Sequence, residues 1–229
     1  MSTQILLHKF KKATWMALLT ILIGGCVDLS GSRSTYTSTT DSPTCHFSPY
    51  CGQVHTMLGG LGIFSKGMNT LRHSVDQRFH IPAYSTIWYN AGHVTRFIVN
   101  RYYQQKKHEP IILIGHSLGA NDQIKVARNL NKVGIPVALL ITVDPVSQTI
   151  VPPNVKKAIN FYKTGYVPMF SGLKLRAADP ARTAVENINA DQLMNIHVNH
   201  FTIDKNPVIQ EMILEQIKKV VANETRKGN

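Results

Sequence analysis

The feature that most constrains this chain is the junction at residues 111–119. Ile111-Ile112-Leu113-Ile114 runs straight into Gly115-His116-Ser117-Leu118-Gly119, and a helical pattern begins at once. The short apolar run reads as a buried strand, and Leu118 to Leu130 reads as a helix closed by Gly134 and Pro136. With no loop between them, the backbone at Ser117 must be strained, and side chains at the flanking glycines would clash with strand or helix. Ser117 is therefore expected at the carboxyl edge of a sheet.

The rest of the chain repeats the alternation. Val54–Leu58, Ala83–Tyr89, Val137–Val143, Ala158–Tyr162 and Ala184–Ile188 join the first run as candidate strands, giving about six. Helical patterns start near Ser65, cover Gly92–Gln105 and follow Pro207, where Ile209, Met212, Ile213, Ile217 and Val220 share one face. Strands alternating with helices predict βαβ units, and so an α/β fold with a mostly parallel sheet covered on both faces. At 229 residues, 43% apolar and 17% charged, the chain can bury the core of one domain, which argues against a disulfide-held miniprotein or a disordered chain.

The amino-terminal part reads differently. A basic stretch from His8 to Lys12 precedes an apolar run from Ala13 to Ile23, the layout of an export signal and too short for a spanning helix of about 20 residues. Ile23-Gly24-Gly25-Cys26 resembles the lipobox of bacterial lipoproteins, which implies cleavage before Cys26 and its acylation. The expected division is a signal peptide over 1–25, a lipidated Ser/Thr-rich tether over 26–50 and a folded domain over 51–229. Val27 after the Cys leans towards the outer membrane, facing the periplasm. Cys45 and Cys51 are left as a candidate disulfide in an oxidising compartment. Removing Lys9, Lys11 and Lys12 from 25 basic residues leaves 22 against 13 acidic ones, so the mature chain is still basic at +9. These cations are scattered rather than striped with aromatics, which argues against a nucleic-acid partner.

Ser117 sits in G-x-S-x-G, the pattern of a nucleophile elbow. A serine hydroxyl needs a base to take its proton, and the base needs an acid to hold its tautomer. Asp144 ends the next strand, on the same edge as Ser117 if the two are parallel; Asp179 and Asp191 are later alternatives. His197 and His200 both lie between the last strand and the final helix. Two backbone donors for an oxyanion are expected from Leu118 and, in the loop Gly59-Gly60-Leu61-Gly62, from Leu61. His116 reads as supporting rather than reacting. No H-E-x-x-H, zinc-spaced cysteine pair or Walker loop calls for a metal or cofactor.

Together these residues resemble the α/β-hydrolase superfamily over roughly residues 51–222. The segment from His200 to Val208 has the spacing of that family's base before a terminal helix, which implies His200. An acid directly after the strand that follows the nucleophile is similar to thioesterase domains and some lipases. Gly60 to Met68, Gly115 to Asn121 and Asp144-Pro145 also resemble small exported bacterial thioesterase-like hydrolases. The resemblance implies a three-layer fold without a large cap domain, and a serine hydrolase acting on an ester or thioester through Ser117, Asp144 and His200. It leaves open an inactive hydrolase fold used as an envelope binding protein, and an acyltransferase with the same three residues. The usual first two strands of the family have no room here.

Overall fold

A computed structural model describes residues 35–36, 49–63, 65–165, 172–194 and 196–226. Six strands, β1 (Gln53–Leu58), β2 (Ala83–Ile87), β3 (Ile111–His116), β4 (Val137–Val143), β6 (Val155–Tyr162) and β8 (Ala184–Asn189), form one sheet in the order β2-β1-β3-β4-β6-β8. Every pairing in it is parallel. The expected strands are all present, Val137–Val143 with the expected bounds and the others with one end shifted. β2 stops at Ile87 because the chain turns at Trp88, whose N–H bonds back to Leu58, and Tyr89 takes a φ of 45° that no strand accommodates.

Among the described residues four α-helices, α1 (Gly67–Phe79), α2 (Ala91–Gln104), α3 (Leu118–Lys132) and α4 (Pro207–Arg226), complete three layers. The alternation of side chains along the strands decides which helix packs where. On one face Ile112, Ile114, Leu139, Ile141 and Val143 meet Met68, Leu71 and Val75 of α1 and Ile209, Ile213 and Ile217 of α4. On the other, Ile111, Leu113 and Leu140 meet Val94 and Ile98 of α2 and Ile124, Ala127 and Leu130 of α3. The central strands are buried on both sides, which is why they read as continuous apolar runs rather than alternating ones.

Two short strands, β5 (Ile150–Val151) and β7 (Arg176–Ala177), pair with each other outside the main sheet. At the opposite edge, two residues of the stretch expected to be tether are docked on the domain. Thr35 N–H donates to Ser85 O at 2.9 Å, and Ser85 N–H returns a bond to Thr35 Oγ1 at 2.6 Å. Tyr36, 8% exposed, stacks on Tyr84 at 5.2 Å, meets Phe97 edge-on at 5.0 Å and gives its hydroxyl proton to His55 Nδ1 at 2.6 Å. His55 Nε2–H donates in turn to Gln53 Oε1, and burial holds this imidazole neutral with its pKa lowered to about 3. Thr35 thus covers part of the backbone of an edge strand.

Candidate active site

Because the six strands are parallel, every loop that follows a strand opens on one edge of the sheet, where α/β folds keep their sites. Ser117 stands there, between β3 and α3, with φ 57° and ψ −123°, an unfavourable conformation for a residue with a side chain. Its N–H is held by Val143 O at 2.9 Å and its carbonyl accepts from Ala120 N–H at 3.0 Å, so strand and helix both fix the strained residue. The flanking glycines answer to close approach. A Cβ on Gly115 would stand 2.4 Å from Gly119 O, and one on Gly119 would stand 2.2 Å from Met57 O.

Asp144 follows β4 at φ 47°, with its N–H bonded to Phe161 O at 2.7 Å. His200 lies in the segment between β8 and α4. Its Nδ1 is 2.7 Å from Asp144 Oδ2 and its Nε2 is 2.9 Å from Ser117 Oγ. The ring and the carboxyl are nearly closed to solvent, at 7% and 1% exposure. The other carboxyl oxygen, Asp144 Oδ1, accepts the backbone N–H of Lys163 at 3.2 Å. With Nδ1–H directed at the carboxylate, Nε2 of the neutral ring presents its lone pair to the serine hydroxyl. The alternatives are engaged elsewhere. Asp179 accepts from Ala181 N–H in a turn, Asp191 binds Lys163 and Thr164 at the surface, and His197 is exposed. Lys163 and Thr164 hold the Asp191 carboxyl below its ordinary pKa.

The loop after β1 closes against this junction. A Cβ on Gly59 would lie 2.8 Å from Ser117 Cβ and 3.1 Å from Leu118 N, so only glycine lets the two backbones come so near. Leu61 is the middle residue of a single 3-10 turn, Gly60–Gly62, in which Gly62 N–H bonds Gly59 O. Leu118 is the first residue of α3, so its N–H lacks an acceptor within the helix.

One residue here was given no role by the sequence, although it closes the segment Gly115 to Asn121. Asn121, 6% exposed and one turn after Ser117, accepts with Oδ1 from the N–H groups of Val146, Ser147 and Gln148 at 3.2, 3.2 and 3.3 Å. Its amide nitrogen donates to Ser147 Oγ at 2.8 Å. It thereby ties the helix that starts at Ser117 to the loop that starts at Asp144. Cys51 is buried beside β1, whereas Cys26 and Cys45 lie outside the described residues. Among the described residues no helix is long and apolar enough to cross a membrane, and no group of three or more His, Cys, Asp or Glu is placed to hold a metal ion.

No family model matches the chain, and no curated protein matches it. Solved structures do. An arylesterase superposes with a TM-score of 0.50 at 12% identity, over 82% of this chain and 85% of that one. Human thioesterase 2 gives 0.47 at 10% identity, over 75% and 96%. The RedJ thioesterase from the prodiginine biosynthetic pathway in Streptomyces coelicolor gives 0.46 at 9%, over 81% and 96%. At such identities the likeness concerns architecture alone. A parallel six-stranded sheet between two helical layers, with a strained serine where the third strand turns into its helix, gives this chain the α/β-hydrolase fold.

Proposed function

We propose that the chain is a serine hydrolase that cleaves a carboxylic ester or thioester through an acyl-enzyme. The observation that carries this reading is the unbroken line from Ser117 Oγ through His200 to Asp144, at 2.9 and 2.7 Å. His200 Nε2 takes the proton of Ser117 as Oγ adds to the substrate carbonyl, and Asp144 stabilises the imidazolium that forms. The Leu61 and Leu118 amides receive the oxyanion, each such donor being worth about 2.7–4 kcal/mol in the transition state. His200 gives its proton to the departing alcohol or thiol, then takes one from a water whose oxygen adds to the acyl carbonyl, and returns it to Ser117 Oγ as the acyl–oxygen bond breaks and the acid leaves.

A fluorophosphonate probe tests the reading. It is expected to label the folded chain once, at Ser117, and to leave Ser117→Ala unmarked; absence of labelling on the folded wild type sinks it and favours a binding role for the fold. A panel of p-nitrophenyl esters and acyl-thioesters then assigns the leaving group, and turnover that requires an added alcohol or amine acceptor reassigns the reaction to acyl transfer. We also propose that residues 1–25 are an export signal, that acylated Cys26 anchors the domain to an outer membrane on its periplasmic side, and that Cys45 pairs with Cys51. Acyl chains on one residue account for stable anchoring, since a single chain holds only marginally. Cys26→Ser is expected to release the protein from membranes.

A further inference from the structure

His116 fills the variable position of the elbow and is 1% exposed, yet its ring bonds to neither Ser117 nor Asp144. Its Nε2 lies 2.8 Å from the backbone carbonyl of His200. A carbonyl only accepts, so this nitrogen carries the ring proton. Nδ1 is then the acceptor of a neutral imidazole, and at 2.7 Å it takes the hydroxyl proton of Ser65, itself 1% exposed. The Ser65 oxygen is left to accept the N–H of Gly59 at 3.0 Å. Every donor in this line has one acceptor and every direction is forced. Burial first, and then the neighbouring His200, hold the His116 pKa down at about 3, so near neutral pH the ring is uncharged and keeps both roles.

The line joins three segments far apart in the chain: the loop that would supply the Leu61 donor, the elbow itself, and the backbone of the base. We propose that His116 and Ser65 are positioning residues that set the backbone of His200 and the loop from Gly59 to Gly62 at a fixed distance from Ser117. This rests on the hydrolase reading above. Neither residue touches the reacting atoms. Their effect is on registry: a His200 main chain free to drift would take Nε2 out of the 2.9 Å contact with Ser117 Oγ. A single imidazole can do this because it offers an acceptor and a donor at its two ends. A glutamine side chain offers the same pair, while leucine offers neither.

The test compares His116→Leu, His116→Gln, Ser65→Ala and the double variant His116→Leu/Ser65→Ala, each first checked for a cooperative thermal transition. With a p-nitrophenyl ester, His116→Leu and Ser65→Ala are expected to lower kcat by about 10- to 100-fold with KM changed less than about twofold. His116→Gln should recover most of the loss. The double variant should lose no more than about the worse single one, because both act through one line. In parallel, proton NMR without substrate follows the downfield signal of the His200 Nδ1–H held by Asp144, which should shift or broaden in His116→Leu and return in His116→Gln. Additive losses, a glutamine variant no better than leucine, or a His200 signal unmoved in every variant would overturn the proposal. A wild type inert to every ester and to fluorophosphonate would instead sink the hydrolase reading, while the NMR comparison still decides whether the line holds His200.

Discussion

At the scale of single residues, the two positions with the most demanding chemistry also carry positive φ angles, 57° at Ser117 and 47° at Asp144. Such backbone persists only where its surroundings over-determine it. Ser117 is held by Val143 O, and Asp144 by Phe161 O. Asp144→Asn keeps the size of the side chain but can present a donor to Nδ1, which favours the wrong imidazole tautomer. Its kcat is expected to fall by about three to four orders of magnitude with little change in melting temperature, read by steady-state kinetics beside calorimetry. Asp204 behaves differently. It is fully buried, accepts Gly67 N–H at 2.9 Å where α1 begins, and its pKa is pushed up to about 7, chiefly by burial, against the opposing pull of Lys205 and of that N–H. The folded chain thus holds a proton that the unfolded chain releases near the ordinary value of 3.8, so this group's contribution to stability falls as pH rises from about 4 to about 7. Asp204→Asn should remove that slope and gain on the wild type above pH 7, by an amount of the order of a few kcal/mol in urea unfolding followed across pH.

Between elements, the decisive contacts are cross-ties among loops rather than packing within helices. Asn121 is the plainest: one buried amide receives three N–H groups of the loop after β4. Asn121→Ala leaves those donors without their acceptor and should cost about 1–3 kcal/mol of stability, with a fall in kcat larger than any change in KM as Asp144 loosens. Chemical denaturation and ester kinetics on the same variant check both. This is also where the sequence stopped being informative. Strand runs, the G-x-S-x-G turn and an Asp at a strand end are local patterns, and the structure does bring Ser117, Asp144 and His200 together. Asn121 and Ser65 owe their placement to partners 25 to 27 and 51 residues away, and nothing near them in the chain announces those partners. The paired β5 and β7 escaped for the same reason, since a two-residue strand has no period to read. Trp88 and Tyr89 looked like strand because aromatics favour it; the turn that follows β2 overrides that preference.

For the molecule as a whole, the layers divide the work. The core beneath α1 and α4, with its counterpart beneath α2 and α3, makes a rigid slab whose one edge holds every group of the candidate site. The far flank of the slab carries Thr35 and Tyr36. Tyr36→Ala empties an aromatic nest and strands His55 Nδ1, so it should lower the unfolding free energy by about 3 kcal/mol in urea denaturation while leaving kcat within about twofold. The clasp also sets a leash. Measured from Cys26, a chain free up to Cys51 would extend roughly 85 Å, but one pinned at Thr35 extends only roughly 30 Å. If Cys26 carries the acyl chains proposed above, the domain would stay within a thin layer above that bilayer with its β2 flank turned towards the lipid, and the proposed hydrolase would meet esters carried in that layer more often than those diffusing beyond it.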